Sequence, residues 1–325
     1  MKIAVLDDYQ DAFHQLDCHA RLKDHEVVVY QDTEKDPAKL VTRIMDADVV
    51  VLNAQRSPIP RTVIEKLPGL KLIVQTASLK DHLDVAACTD HGIAVAAVRS
   101  GVSYSTAELT WALILASVRR VPYEVQQLKQ GVWQTTVGTE LRGKTLGIYG
   151  LGKIGNCVAQ VGKAFGMKVI CWGQEASKAR AREAGYEVPA SREAFLENAD
   201  IVSLHIRYKA ETHGIVTAAD LARMKRTALI VNTSRASLIQ EGALAEALKR
   251  GRPGFAAVDV YEDEPVLGGN HPLLKLPNVI CTPHLGGTVN EAYKRRYDFA
   301  VDSILGFASG KPVHVVNPEA LGRRR

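Results

Sequence analysis

No two of the five cysteines stand at metal-ligand spacing: Cys18, Cys88, Cys157, Cys171 and Cys281 are scattered singly through 325 residues. Three lie inside apolar runs of strand or helix character, where a cysteine behaves as a small hydrophobe. Neither a metal site nor a disulfide framework is expected, and the thiols read as the reduced thiols of a cytoplasmic protein. A long apolar run is missing too. The chain enters a strand at once in MKIAVLDDYQ, with no charged leader, so neither a signal peptide nor a membrane span is expected. Charge of one sign is scarce once its position is considered. The formal +5 includes the terminal Arg323, Arg324 and Arg325, without which 38 basic residues face 36 acidic ones. A basic face for nucleic acid is therefore not expected. Short-period repeats and low-complexity stretches are absent as well. What is left, 46% hydrophobic and 24% charged residues, is the composition of a globular chain, and its length suggests two domains.

Short apolar runs alternate with helical stretches almost from end to end. KIAVLD, HEVVVY, DVVVLN, LKLIVQT and GIAVAAV are β-rich and do not alternate in polarity, so they read as buried parallel strands. Helical periodicity fills the gaps, as in PRTVIEKL with proline in its first turn. A long apolar helix follows, STAELTWALILASVRRVPYEVQQLKQG, expected to be interrupted at Pro122. A second series then runs through TLGIYG, KVICW, ADIVSLHI, ALIVNTS, GFAAVDV and NVICTPH, before a final helix and a short HVVNP segment. Two layered α/β units of doubly wound type are the expected fold.

The second series opens with a strand running into Gly150-x-Gly152-x-x-Gly155 and straight into a helix. Alone, that spacing is weak evidence. With strand before and helix after, it reads as a dinucleotide turn: one glycine for the tight bend, one for close approach to a pyrophosphate, one for helix–strand packing. Helix-start N–H groups then face the diphosphate. The next strand usually ends in an acid that holds the ribose hydroxyls; here CWGQEAS puts Gly173 and Gln174 in that place.

Three further stretches, LIVNTSRASLIQEGAL, AAVDVYEDEPV and NVICTPHLGGTVNEA, follow in that order. With the glycine turn, they make the chain resemble the D-isomer-specific 2-hydroxyacid dehydrogenases, of the phosphoglycerate dehydrogenase and glyoxylate/hydroxypyruvate reductase type, over nearly its whole length. The resemblance implies a catalytic set of Arg235, Glu264 and His284. Arg235 offers a fixed fork of donors to a carboxylate and its adjacent carbonyl. His284 is the proton donor, and Glu264 orients its ring. The resemblance also implies cofactor contacts at Thr106, Gly150, Gly152, Lys153, Ile154, Gly155, Gly173, Gln174, Arg207 and Thr233, with Asp259 bonding the nicotinamide carboxamide. It implies a Rossmann cofactor domain, 101–286, inserted into a flavodoxin-like substrate domain made of 1–100 and 287–325, with the site in the cleft between. A homodimer is the expected assembly, built partly on the helix that starts near Thr106.

This sequence departs from the family pattern in three places. The loop whose N–H groups hold the substrate carboxylate is usually glycine-rich; here QTASLKDHLD supplies Ala77, Ser78, Leu79 and Lys80. Ser78, Leu79 and Lys80 are taken as substrate-binding, together with Arg235 and His284. AVRSGVSYSTAE replaces the usual run before the long helix, which makes Arg99, Ser100, Ser103 and Tyr104 candidates for shaping the pocket. Finally, Arg207 stands where many relatives have proline. An acid repels a 2′-phosphate, so its absence at Gly173 and Gln174, with Arg207, Ser177, Lys178 or Arg180 in reach, tilts the NAD(P)(H) expectation slightly towards NADP(H). Glu175, if turned inward, would oppose that.

The expected activity is hydride transfer between NAD(P)H and a small 2-oxo acid, giving a D-2-hydroxy acid. Glyoxylate, hydroxypyruvate, pyruvate and bulkier acids stay open as substrates. So do a formate/phosphite dehydrogenase-like activity on the same scaffold and a non-enzymatic dinucleotide sensor of the co-repressor type. A screen of 2-oxo acids with both cofactors separates these readings.

Overall fold

A computed structural model describes residues 1–79, 81–98 and 104–323; Lys80, Arg99, Ser100 and Ser103 lie outside the described residues. The chain divides into two compact units, Met1–Gly101 with Val289–Arg325, and Val102–Thr288.

The first unit is built on β1 (Lys2–Leu6), β2 (Glu26–Val29), β3 (Val49–Leu52), β4 (Leu72–Gln75) and β5 (Ala94–Ala97). All pair in parallel, in the order β2-β1-β3-β4-β5. That is the flavodoxin-like doubly wound order. Every residue of β3, β4 and β5 is buried, as expected of Val- and Ala-rich strands covered on both faces. One face packs Leu40, Ile44, Ile64 and Ile73; the other receives Tyr293, Tyr297, Val301 and Ile304 from the C-terminal helix, Asn290–Ala308. The HVVNP segment extends the sheet by an antiparallel bridge, Val315 to Ala96. Asn317 fixes it there: its Oδ1 accepts from Val95 N–H at 2.7 Å and its Nδ2 donates to the Ile93 carbonyl at 3.0 Å.

The second unit holds β6 (Thr145–Tyr149), β7 (Lys168–Trp172), β8 (Ile201–Leu204), β9 (Leu229–Asn232), β10 (Phe255–Val258) and β11 (Val279–Cys281), in the order β11-β10-β9-β8-β6-β7. A parallel bridge from Ile170 to Glu187 adds a one-residue strand beyond β7. With it, the order becomes the dinucleotide-binding one, in which two mononucleotide halves meet at β6 and β8. The expected long helix is two helices, Tyr104–Val118 and Val121–Lys129. The break precedes Pro122, which sits in the second helix's first turn, and Arg120 turns left-handed at φ 56°. Proline has no N–H to give the Val118 carbonyl and its ring would strike it; Thr139 N–H takes that carbonyl instead, at 2.8 Å. No described helix is long and apolar enough to cross a membrane.

Candidate active site

The glycine turn leaves the end of β6, and the consequence of adding a Cβ differs at each glycine. At Gly150 (φ 101°) the new atom would lie 2.8 Å from the His205 backbone, and at Gly155 2.5 Å from the Gly150 carbonyl oxygen. At Gly152 nothing stands within 4 Å. Two glycines therefore serve packing, and the third borders open space at the start of the helix Lys153–Ala164. Lys153 and Ile154 form that helix's first turn, whose N–H groups have no intrahelical partner. The turn is held from outside: Ser177 Oγ accepts from Leu151 N–H at 2.6 Å, and Arg180 Nε donates to the Leu151 carbonyl at 2.7 Å. An open cradle, helix-start N–H groups and a packed glycine fit a dinucleotide diphosphate.

A cavity of about 380 Å³ adjoins the turn, and Gly173, Gln174 and Arg207 all line it. Lys209, which the sequence analysis did not single out, lines it as well; among the described residues no acidic one does. Glu175 faces outward, its side chain 78% exposed and paired with Lys178 at 2.9 Å. Lys178 in turn lies over the Trp172 ring, 4.0 Å from its centroid. Arg180 is committed to the turn. His205 is bonded through Nε2 to Ser203 Oγ at 2.8 Å, and burial pushes its pKa down to about 4, so the wall it forms is uncharged at neutral pH.

At the same carboxyl edge of the sheet, three neighbouring strands deliver the expected catalytic residues. Asn232, Val258 and Cys281 are in register at the ends of β9, β10 and β11. Arg235 follows β9 by a short loop in which Asn232 Nδ2 donates to the Arg235 carbonyl at 2.9 Å, and Asn232 Oδ1 accepts from Ser234 N–H at 3.0 Å. The guanidinium is half-buried. Burial pulls its pKa down, and the Glu264 charge acts against that pull. Glu264 follows β10; its Oε1 accepts from Tyr261 N–H at 2.9 Å and its Oε2 meets His284 Nδ1 at 2.5 Å. His284 follows β11 at a left-handed φ of 55° and keeps a 33% exposed side chain.

Asp259 is fully buried and holds the His284 loop. Its Oδ1 accepts from the Thr282 hydroxyl at 2.6 Å and Leu285 N–H at 2.7 Å, and its Oδ2 from Gly286 N–H at 2.8 Å. Burial raises its pKa despite these donors. A carboxylate has about four lone-pair sites, which leaves one for a ligand amide. Thr106 Oγ1 and Ser105 Oγ donate to the Gly286 carbonyl at 3.0 and 2.8 Å, while Thr233 Oγ1 bonds Thr110 Oγ1 at 2.8 Å. Tyr261 went unrecognised in the sequence, where nothing marks it beside three acids. Its hydroxyl donates to the Thr282 carbonyl at 2.9 Å, and burial keeps it protonated. In the first unit, the half-buried Leu79 side chain packs against the core, and the Ser78 carbonyl accepts from Gln55 Nε2 at 2.7 Å.

Comparison with known proteins gives a consistent result. Residues 111–286 match the sequence model of the D-isomer specific 2-hydroxyacid dehydrogenase, NAD binding domain. The chain is 36% identical over 315 residues to a glyoxylate reductase of Aeropyrum pernix, covering 93% of each. It is 42% identical over 275 residues to a D-3-phosphoglycerate dehydrogenase of Methanocaldococcus jannaschii, covering 84% of this chain and 52% of that protein. A solved oxidoreductase structure from Ralstonia solanacearum superposes with a TM-score of 0.95 at 47% identity, over 99% of this chain and 98% of that one.

Proposed function

The chain belongs to the D-isomer-specific 2-hydroxyacid dehydrogenases, which are NAD-dependent oxidoreductases, and from that premise we propose that it reduces the carbonyl of a small 2-oxo acid to a D-2-hydroxy acid. The observation that carries the reading is the 2.5 Å contact between His284 Nδ1 and Glu264 Oε2, on the sheet edge that also bears Arg235. A carboxylate at Nδ1 fixes the proton on that nitrogen, leaving Nε2 to exchange a proton with the substrate oxygen. In reduction, the imidazolium gives its Nε2 proton to the developing alkoxide; in oxidation, the neutral ring takes it back. Arg235 holds the substrate carboxylate and polarises the neighbouring carbonyl, and its partial burial strengthens both contacts. The dihydronicotinamide, when bound, supplies the hydride. Tyr261 and Asp259 keep Glu264 and the His284 loop in position.

For the cofactor we propose a preference for NADP(H). Its support is a cavity bordered by Arg207 and Lys209 with no acid in its lining, and Glu175 turned away into a pair with Lys178. A homodimer and a cytoplasmic location complete the proposal. Tyr123, Leu128, Trp133 and Val137 stand exposed on or after the second helix, an apolar stretch that suits a contact between subunits. The cysteines are free thiols, which suits a reducing compartment.

A screen of glyoxylate, hydroxypyruvate and pyruvate with NADPH and NADH tests this directly. Turnover is expected with at least one acid; tight cofactor binding without turnover on any would replace the enzyme by a sensor.

A further inference from the structure

The loop that carries Glu264 leaves β10 and rejoins the sheet at β11, and much of it is exposed. Glu262, Asp263 and the stretch 267–270 face solvent, and Gly268 and Gly269 turn the chain back with left-handed φ of 63° and 65°. Glycine takes that conformation freely, and for the same reason fixes the path of a loop weakly. Side chains close the base of this loop instead. His271 Nε2 meets Glu262 Oε2 at 3.0 Å, and His271 Nδ1 accepts from Leu273 N–H at 3.3 Å. A backbone N–H can only donate, so the ring proton sits on Nε2 and the Glu262 contact is a charge-assisted hydrogen bond. The His271 side chain is 16% exposed. Glu262, His271 and Leu273 also line a cavity of about 230 Å³, together with Ile239, Leu244 and Ala245. Where the loop base borders that space, packing cannot hold it, and the polar contact does.

The same ring reaches towards the proton-exchanging pair. It packs edge-on against the Tyr261 ring, with centroids 5.0 Å apart. Tyr261 is bonded at both ends: its N–H donates to Glu264 Oε1 at 2.9 Å, and its hydroxyl donates to the Thr282 carbonyl at 2.9 Å. His271 therefore braces a residue tied on one side to the carboxylate and on the other to the segment leading into His284.

We propose that His271 and Glu262 form a clasp that positions Glu264 on His284, two positioning residues that act on the reaction through the Glu264 carboxylate. This rests on the proposed reduction of a 2-oxo acid, in which His284 gives up its Nε2 proton. A carboxylate held at one ring nitrogen favours the protonated imidazole that reduction needs. Once the loop is free to drift, that support weakens.

The test uses the full chain with glyoxylate, hydroxypyruvate or pyruvate, whichever is reduced fastest, at saturating NADPH or NADH. His271→Asn keeps an acceptor for Leu273 N–H but drops the contact to Glu262 and the ring beside Tyr261. Glu262→Ala drops the same contact from its exposed side. Each should lower kcat for reduction about tenfold and leave KM within about twofold, because the carboxylate of Glu264 is misplaced while Arg235 comes from another loop. In each, the pH at which reduction falls by half should move down by about half a unit or more, a shift that mere loss of folded protein does not produce. Glu262→Gln still offers an acceptor oxygen to His271 and should recover most of the kcat lost in Glu262→Ala. An unmoved pH midpoint or an unchanged kcat in either His271→Asn or Glu262→Ala overturns the proposal, as does an equal loss in Glu262→Gln and Glu262→Ala. Should none of the three acids be reduced, the proposed reaction fails by itself. A ¹⁵N-histidine NMR titration then decides the clasp, with the His284 signal identified by its absence in His284→Ala. A lower His284 midpoint in Glu262→Ala than in wild type supports it, and an equal one overturns it.

Discussion

Gly152→Ala and Gly155→Ala, three residues apart in one turn, should damage the protein in opposite ways. At Gly155 the added methyl would lie 2.5 Å from the Gly150 carbonyl oxygen and 3.1 Å from Ile148 Cγ2. Backbone cannot swing aside as a side-chain end can, so the helix must shift on β6. Overpacking of this kind costs about 1–3 kcal/mol, against a gain of up to about 1 kcal/mol from exchanging glycine for alanine inside a helix. A net loss of about 1–2 kcal/mol corresponds to a fall of roughly 2–8 °C in the melting temperature of a unit this size. At Gly152 the methyl meets nothing within 4 Å, and φ −94° suits any residue. The weaker helix cap is offset by the stiffer unfolded chain, so melting should stay within about 2 °C. The open space is where a diphosphate would rest, so dinucleotide affinity should fall about tenfold or more. Melting by circular dichroism and cofactor binding by fluorescence titration read the two effects separately. If Gly152→Ala melts as low as Gly155→Ala, or binds the dinucleotide as tightly as wild type, the assignment of open and packed faces is wrong.

Truncating either end of the proton and anion machinery should be severe: His284→Ala or Arg235→Ala should lower turnover by at least ~100-fold, and near-normal kcat/KM in either would remove that residue from the mechanism. Because the protonated ring serves reduction and the neutral ring oxidation, raising pH should slow the first and speed the second. Rate profiles of the same slope in both directions would refute the proton-exchange role. Arg207→Ala should lower the ratio of NADPH to NADH efficiency by about tenfold, the scale of one charged hydrogen bond; an unchanged ratio would leave the cavity wall without a part in cofactor choice. Burial pushes the Cys88 and Cys171 thiols up to about 12, so neither should react with iodoacetamide in native protein at neutral pH, as mass spectrometry of a timed alkylation would show.

The doubly wound fold was legible because parallel strands covered on both faces leave a pattern that survives without context: VVVL is wholly apolar, LIVQ and LIVN are apolar up to their last residue, and all three are wholly buried. The glycine turn was legible for a similar local reason, since tight bend, approach and packing all act within six residues. The edge of a sheet was harder to read. HVVNP joins β5 by a single antiparallel bridge and by Asn317, whose partners Thr89, Ile93 and Val95 lie more than 200 positions earlier, and the strand beyond β7 amounts to one bridge at Glu187. The same limit governs the candidate site. Arg235, Glu264 and His284 stand out by residue type, but Asp259 as anchor of the His284 loop depends on three donors beyond the next strand, from Thr282 to Gly286. Tyr261 looks like one apolar residue beside a run of acids until its hydroxyl is seen on the Thr282 carbonyl. Such residues carry no local signature because their work is done on groups brought near by folding. Asp259→Ala therefore makes a sharp closing case: it would strip acceptors from the Thr282 hydroxyl and the Leu285 and Gly286 N–H groups. At about 1–3 kcal/mol for each buried donor left unmatched, the second unit should melt several degrees lower and turnover should fall with it. A variant that lost turnover yet melted like wild type would mean that Asp259 acts on the ligand and not on the loop.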